Sequence, residues 1–278
     1  MAEWSKALPW KGSILVTVSR VRIPSSLQKL RTLKIKPINS KPFQFKEFAI
    51  YQDKTAMKVG TDAVLLGSWC SLSQYPNAIL DIGAGTGIIS LMLAQRCDAI
   101  TIDAVEIDEQ AHEQCVENFE LSDWGDRLFC YNASFDQLVE EMIEEEEQYD
   151  VIISNPPFYS DAFETEDEAR NKARFTSSLS FESLISGAVK LLSESGIFCV
   201  IIPSKEEAPF IELAKKENLY LNRVCNVKGN VDSEVKRSML EFSFKQTEIH
   251  YEELAIEISR HKYTEDYIEL TKDFYLKM

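Results

Sequence analysis

Between residues 79 and 202 the sequence alternates short, β-branched apolar runs with amphipathic stretches, and this alternation constrains the fold more than any other feature. Residues 79–82, 101–106, 127–131, 149–154 and 196–202 are nearly continuously apolar, as strands covered on both faces are. Between them, residues 88–96, 109–119, 136–145 and 181–192 place apolar side chains at i, i+3 and i+4, the spacing of helices. The order βαβαβαβαβ predicts an α/β fold: an open, mostly parallel sheet flanked by helices. A helix near 205–216, strands over 219–227 and 235–244, and a helix over 264–274 extend it, with a late antiparallel strand pair. Upstream, Phe43, Phe45, Phe48 and Tyr51 suggest a hairpin or strand, and residues 61–69 a helix. That block is expected to cover part of the sheet or its ligand pocket.

With 278 residues, 45% hydrophobic and 27% charged, the chain is of the globular class rather than disordered, collagen-like or coiled-coil. No apolar run approaches the ~18 residues of a membrane span. Six cysteines without a C-x-x-C pair, and three scattered histidines, argue against zinc and for reduced, mostly buried thiols. The chain is expected to be cytoplasmic and monomeric, with neither metal nor membrane. Its acidic run at 144–147 reads as a solvated helix end or loop.

Residues 1–36 stand apart. They hold eight Lys and Arg against Glu3 alone, a net of +7, which taken from the chain's −15 leaves −22 on residues 37–278. Their apolar run at 14–18 is too short for a secretory signal. Val21-Arg22-Ile23-Pro24 can be encoded GTTCGAATCCC, a transfer-RNA T-loop sequence, and residues 8–12 can encode a stem around a GGA anticodon. The expectation is a start codon set too far upstream, inside a serine tRNA gene, with residues 1 to about 27 never made. Residues 1–36 are thus an N-terminal extension, disordered or mis-annotated, and residues 37–278 a single domain.

Asp81-Ile82-Gly83-Ala84-Gly85-Thr86-Gly87 follows a strand and opens a helix. Glycines let backbone approach a ligand closely, and the helix start offers free N–H groups. Unlike the G-x-G-x-x-G turn that takes a pyrophosphate, this one carries a carboxylate two residues before its first glycine. Asp81 would repel phosphate and suits an ammonium group, such as the methionine end of S-adenosyl-L-methionine. Glu106, nineteen residues past Gly87, ends the second strand where an acid can accept from both ribose hydroxyls. After the third strand, Asn132-Ala133-Ser134-Phe135-Asp136 lies where an adenine would be held. Asp81, Gly83, Gly85, Thr86, Gly87, Glu106, Ile107, Asn132, Ala133 and Asn155 form the expected cofactor set.

Asn155-Pro156-Pro157-Phe158 comes directly after the fourth strand. Ligands of open α/β sheets bind along the edge formed by the strands' C-terminal ends, so this loop should face the glycine turn. Its prolines fix φ and remove donors. The Asn155 side-chain oxygen and the Pro156 carbonyl can accept from a planar –NH2, and Phe158 offers a ring for stacking.

D-I-G-A-G-T-G with N-P-P-F at this separation resembles the class I, Rossmann-fold methyltransferases that modify planar amino nitrogens. K-V-G-T-D-A-V-L-L-G from Lys58 and Y-I-E-L-T-K-D-F-Y from Tyr267 narrow it. Together they are similar to the bacterial tRNA1(Val) adenosine-37 N6-methyltransferases, from about Lys41 to the end. The resemblance implies S-adenosyl-L-methionine as donor, a tRNA anticodon loop as partner, and Asn155, Pro156, Pro157 and Phe158 as the catalytic loop. Lys58, Arg170, Lys172 and Arg174 are candidates to hold RNA, which Lys54, Lys228, Lys236 and Arg237 could join. The alternatives are rRNA guanine-N2 methylation, since those enzymes share NPPF, then protein-glutamine N5 methylation, whose enzymes usually carry NPPY. A non-catalytic cofactor-binding subunit is the third class; intact Asp81, glycines and Asn155 weigh against it.

Overall fold

The computed structural model describes residues 41–157 and 179–278. Nine strands form one mixed sheet. From its centre outward these are β3 (Ala78–Ile82), β4 (Thr101–Glu106) and β5 (Leu128–Asn132) on one side, β6 (Tyr149–Ser154) and β7 (Leu192–Pro203) on the other. All five run parallel. The chain reverses direction of growth between β3 and β6, the switch point at which open α/β sheets bind ligands. Beyond β7 lies β9 (Val235–Ser243), antiparallel to both β7 and β8 (Tyr220–Asn230), so the expected late antiparallel pair is present.

The strands form where β-branched runs can be buried from both sides: Ile79, Leu80, Ile102, Val151, Ile152, Ile153, Val200 and Ile201 are fully buried. Helices α1 (Thr61–Trp69), α2 (Ile88–Arg96) and α3 (Glu109–Glu120) share one core cluster. Helices α4 (Phe135–Glu144), α5 (Phe181–Leu191) and α6 (Glu207–Lys216) pack successively on one another. Asp108 caps α3 through the Ala111 amide, and Ser134 with Gln137 forms a capping box on α4. These caps fix where each helix leaves the strand before it.

A short hairpin, β1 (Phe43–Gln44) with β2 (Ala49–Ile50), precedes α1. Its Phe45 stacks on Phe48 at 4.7 Å and on Tyr275 at 5.8 Å, and the Lys46 amide bonds to the Phe274 carbonyl, joining both ends of the described fold.

Two strands escaped the sequence pattern. β10 (His250–Ser259) runs parallel to β8, and β11 (Lys262–Tyr263) closes that edge. In β10 only Leu254 is buried, so no apolar alternation announces it, and His250 is exposed at its start. The last helix, α7 (Glu265–Thr271), is capped by Thr264 and ends before Phe274. His112 is helical but buried, its Nε2 3.1 Å from the Cys130 carbonyl oxygen.

Candidate active site

Strand register assembles the site. Ile82 of β3 pairs with Val105 of β4 and with Ser154 of β6, while Glu106 pairs with Asn132 of β5. The glycine turn, Glu106, Asn132 and the Asn155 loop therefore leave four adjacent strands along one edge. The buried Ser154 hydroxyl also donates to the Ile82 carbonyl across 2.9 Å, tying the start of the Asn155 loop to that of the glycine turn.

Gly83, Gly85 and Gly87 have φ of 74°, 56° and 78°, the left-handed region where a side chain is strained. The Gly83 and Ala84 amides donate to the Val105 carbonyl, and the Gly85 amide to Glu106 Oε2 at 2.9 Å. A Cβ on Gly83 or Gly85 would meet nothing within 4 Å, whereas one on Gly87 would lie 2.5 Å from Phe119 Cε1. Two glycines thus face open space and the third is packed shut against α3.

Asp81 is buried beneath this turn. One carboxylate oxygen accepts from the Ser90 amide (3.2 Å) and hydroxyl (2.7 Å); the other, Oδ1, has no partner among the described residues. Desolvation pushes its pKa up to about 6, and the nearby Glu106 carboxylate adds to the shift. A buried carboxylate with an orphaned oxygen is costly by itself. It fits the ammonium end of S-adenosylmethionine, as the open space at Gly83 and Gly85 fits close approach of a ligand to backbone.

Glu106 accepts from the Gly85 amide with one oxygen and from the Asp108 amide, at 2.9 Å, with the other, which fixes its orientation at the end of β4. Asn132 donates to the Glu106 carbonyl at 3.0 Å, so its amide also braces that corner. Ile107 beside them is 56% exposed, an apolar surface at the edge. Asn155 is half-buried, Pro156 buried and Pro157 exposed, and no described residue pairs with the Asn155 side chain. Phe158, Arg170, Lys172 and Arg174 lie outside the described residues.

Of the remaining basic residues, Lys58 and Lys236 are exposed. Lys54 is engaged by Glu117 (2.6 Å) and Glu113 (3.2 Å), Lys228 by Glu253 (2.8 Å), and Arg237 by Asp62 (2.8 Å). Sequence reasoning missed the reason Lys54 and Arg237 are there. Residues 51–60 form a strap whose beginning is held by buried polar side chains of α3; just past its far end, Asp62 in the first turn of α1 is tied to Arg237 of β9. Gln114, Glu117 and Asn118 look like solvated helix positions in the sequence, and nothing in their spacing separates them from Glu109, Glu113 or Glu120.

A doubly wound sheet with this glycine turn, an acid closing the second strand and Asn-Pro-Pro after the fourth defines a class I S-adenosylmethionine-dependent methyltransferase. A family model described as methyltransferase small domain matches residues 60–223. Two proteins called tRNA1(Val) (adenine(37)-N6)-methyltransferase align over their whole length. That of Christiangramia forsetii is 56% identical across 87% of this chain, and that of Flavobacterium johnsoniae 59% identical across 85%. The chain belongs to this family. In fold it also resembles a predicted O-methyltransferase from Agrobacterium tumefaciens, at TM-score 0.59 and 18% identity over 77% of this chain and 96% of that one.

Proposed function

We propose that this chain methylates the exocyclic N6 of adenosine 37 in tRNA1(Val), with S-adenosyl-L-methionine as donor. The observation that carries this reading is the register of Ile82 with Ser154, which brings the glycine turn and the Asn155 loop out of neighbouring strands at one level. The donor, when bound, supplies an electrophilic sulfonium methyl.

The chain's own groups have two tasks. Asp81, the glycine turn and Glu106 hold the donor, with Ile107, Asn132 and Ala133 beside its base. The Asn155 side-chain oxygen and the Pro156 carbonyl accept the two amino hydrogens of the target adenine. The adenine amino lone pair is conjugated into the ring and is a poor nucleophile; two acceptors at its hydrogens favour a pyramidal nitrogen that exposes it. Alignment of two reactants can supply about 7–11 kcal/mol of a barrier. Carbonyl dipoles aimed at the developing positive charge add roughly 3 kcal/mol each. The amino proton leaves to water, and no side chain is required as general base.

The target base must leave its stack, which costs least in an anticodon loop. Phe158 stacks on the extruded base, while Lys58, Arg170, Lys172 and Arg174 hold the surrounding RNA. Residues 37–278 act as one domain, monomeric and cytoplasmic, with residues 1–36 outside it; the one sheet that joins β3 through β11 supports a single domain over those strands. Among the described residues no helix is long and apolar enough to cross a membrane.

The decisive experiment incubates the protein with labelled S-adenosylmethionine and bulk RNA from a strain lacking the gene, followed by nucleoside analysis. N6-methyladenosine in tRNA is the expected product. N2-methylguanosine in rRNA, or label only in protein, overturns the proposal.

A further inference from the structure

Asn118, in the last turn of α3, is 1% exposed and spends both amide hydrogens and its side-chain oxygen on two other segments. Its Oδ1 accepts from the Tyr51 amide at 2.9 Å, and its Nδ2 donates to the Tyr51 carbonyl at 2.9 Å and to the Thr86 carbonyl at 2.8 Å. Thr86 belongs to the glycine turn; Tyr51 opens the strap. One helical turn earlier the fully buried Gln114 accepts from the Asp53 and Lys54 amides (3.1 and 3.2 Å) and donates to Glu117, which in turn holds the Lys54 ammonium.

Burying three polar side chains on one helix face is expensive unless each is paired, and apolar residues would pack there at lower cost. The polar face therefore serves backbone that has no regular partner, the irregular start of the strap. The strap then continues to Asp62, whose ion pair with Arg237 lies at the C-terminal end of β7, since Arg237 pairs in register with Pro203. It thus links the donor half of the site edge to the half beyond the Asn155 loop.

We propose that Asn118 is a positioning residue for the methyl donor, coupling the strap at residues 51–60 to the glycine turn so that holding the donor and fixing the strap are one equilibrium. The proposal rests on the glycine turn being the donor site. Asn118 touches no ligand; it acts through Thr86 and Tyr51, with Gln114 supporting the next two strap amides.

The test measures S-adenosylhomocysteine affinity by calorimetry for the wild type, Asn118→Ala and Thr271→Val. The last removes a buried hydroxyl that bonds only within α7 and its tail, and controls for ordinary loss of stability. Asn118→Ala is expected to weaken binding at least about fivefold, a size typical of site-to-site coupling, while Thr271→Val stays below that threshold. Trypsin supplies the second readout through the strap residues Lys54 and Lys58. The product should slow cleavage there in the wild type and leave it unchanged in Asn118→Ala. Weakening under about fivefold, or equal protection in both, overturns the proposal. Should Asn118→Ala fail to fold, Gln114→Met decides on the same threshold, since it keeps the side chain's length and removes the acceptor for Asp53 and Lys54. A wild type that does not bind the product overturns the donor-site reading itself, an outcome distinct from variants that bind as well as wild type.

Discussion

The Ser154 hydroxyl hydrogen-bonds the Ile82 carbonyl at 2.9 Å, across the switch point of the sheet. Strand register alone would bring the two loops to one level; this bond fixes how the second leaves its strand. Ser154→Ala removes one buried hydrogen bond, a loss of about 1 kcal/mol in stability. Its larger effect is expected on alignment, where a small misplacement can lower turnover by roughly ten- to a hundredfold. Product affinity should hardly change, because Asp81 and the glycines are untouched. Single-turnover methylation beside calorimetric titration separates the two effects.

Gly83 and Gly87 share a left-handed φ and differ in what surrounds them. Gly83→Ala costs about 1–2 kcal/mol of backbone strain and meets no neighbour, so the variant should fold. On the proposed reading its methyl group enters the space the donor approaches, and donor binding should be lost selectively. Gly87→Ala adds to the same strain a collision with Phe119 Cε1 and Cys115 Sγ, with overpacking worth roughly another 1–3 kcal/mol. Thermal unfolding without ligand should therefore drop much further for Gly87→Ala than for Gly83→Ala.

The central sheet was legible because strands buried on both faces are rich in β-branched and other apolar residues, and the runs at 101–106 and 149–154 match β4 and β6 residue for residue, although each carries an aspartate. The glycine turn was legible because its left-handed φ values call for glycine, and the strand ends that carry Glu106 and Asn155 because the strand-forming runs stop there. β10 was not, because an edge strand with one buried side chain carries no period. Nor was the strap. Its stability comes from Gln114 and Asn118 pairing with backbone more than fifty residues away in sequence, and such long-range polar contacts leave no local pattern.

On the proposed reading, the half-buried Asn155, which follows the buried Ser154, offers its side chain to the substrate. Asn155→Ala should abolish methylation while leaving product affinity within about threefold of wild type, the signature of an interaction made with the reacting group alone. Asn155→Asp tests the acceptor chemistry further. It keeps an oxygen but adds a charge, so partial turnover would show that an acceptor matters and complete loss that the neutral amide does. Rapid-quench assays with tRNA, beside calorimetry with S-adenosylhomocysteine, provide the measurements.

On the proposed reading, the buried carboxyl of Asp81 gives donor binding a pH dependence of defined sign. Its pKa is raised from an ordinary 3.8 to about 6, chiefly by desolvation. Only the ionised form attracts an ammonium group, so affinity for S-adenosylhomocysteine should be full above pH 7 and fall as pH drops through 6. With the neutral form unable to pair, the loss reaches about tenfold at pH 5. Folding responds oppositely. A carboxyl whose folded-state pKa is raised makes the ligand-free fold bind protons more readily than the unfolded chain, so its contribution to stability declines as pH rises from about 4 to 6. Asp103, also shifted to about 6 by burial but with its carboxylate taken by Tyr149 (2.8 Å), Tyr131 and Thr101 rather than by the glycine turn, shares the folding response and not the binding one. Asp81→Asn should therefore flatten the affinity profile between pH 5 and 7 at a uniformly weak value, whereas Asp103→Asn leaves that profile in place; calorimetric titrations across that range distinguish them.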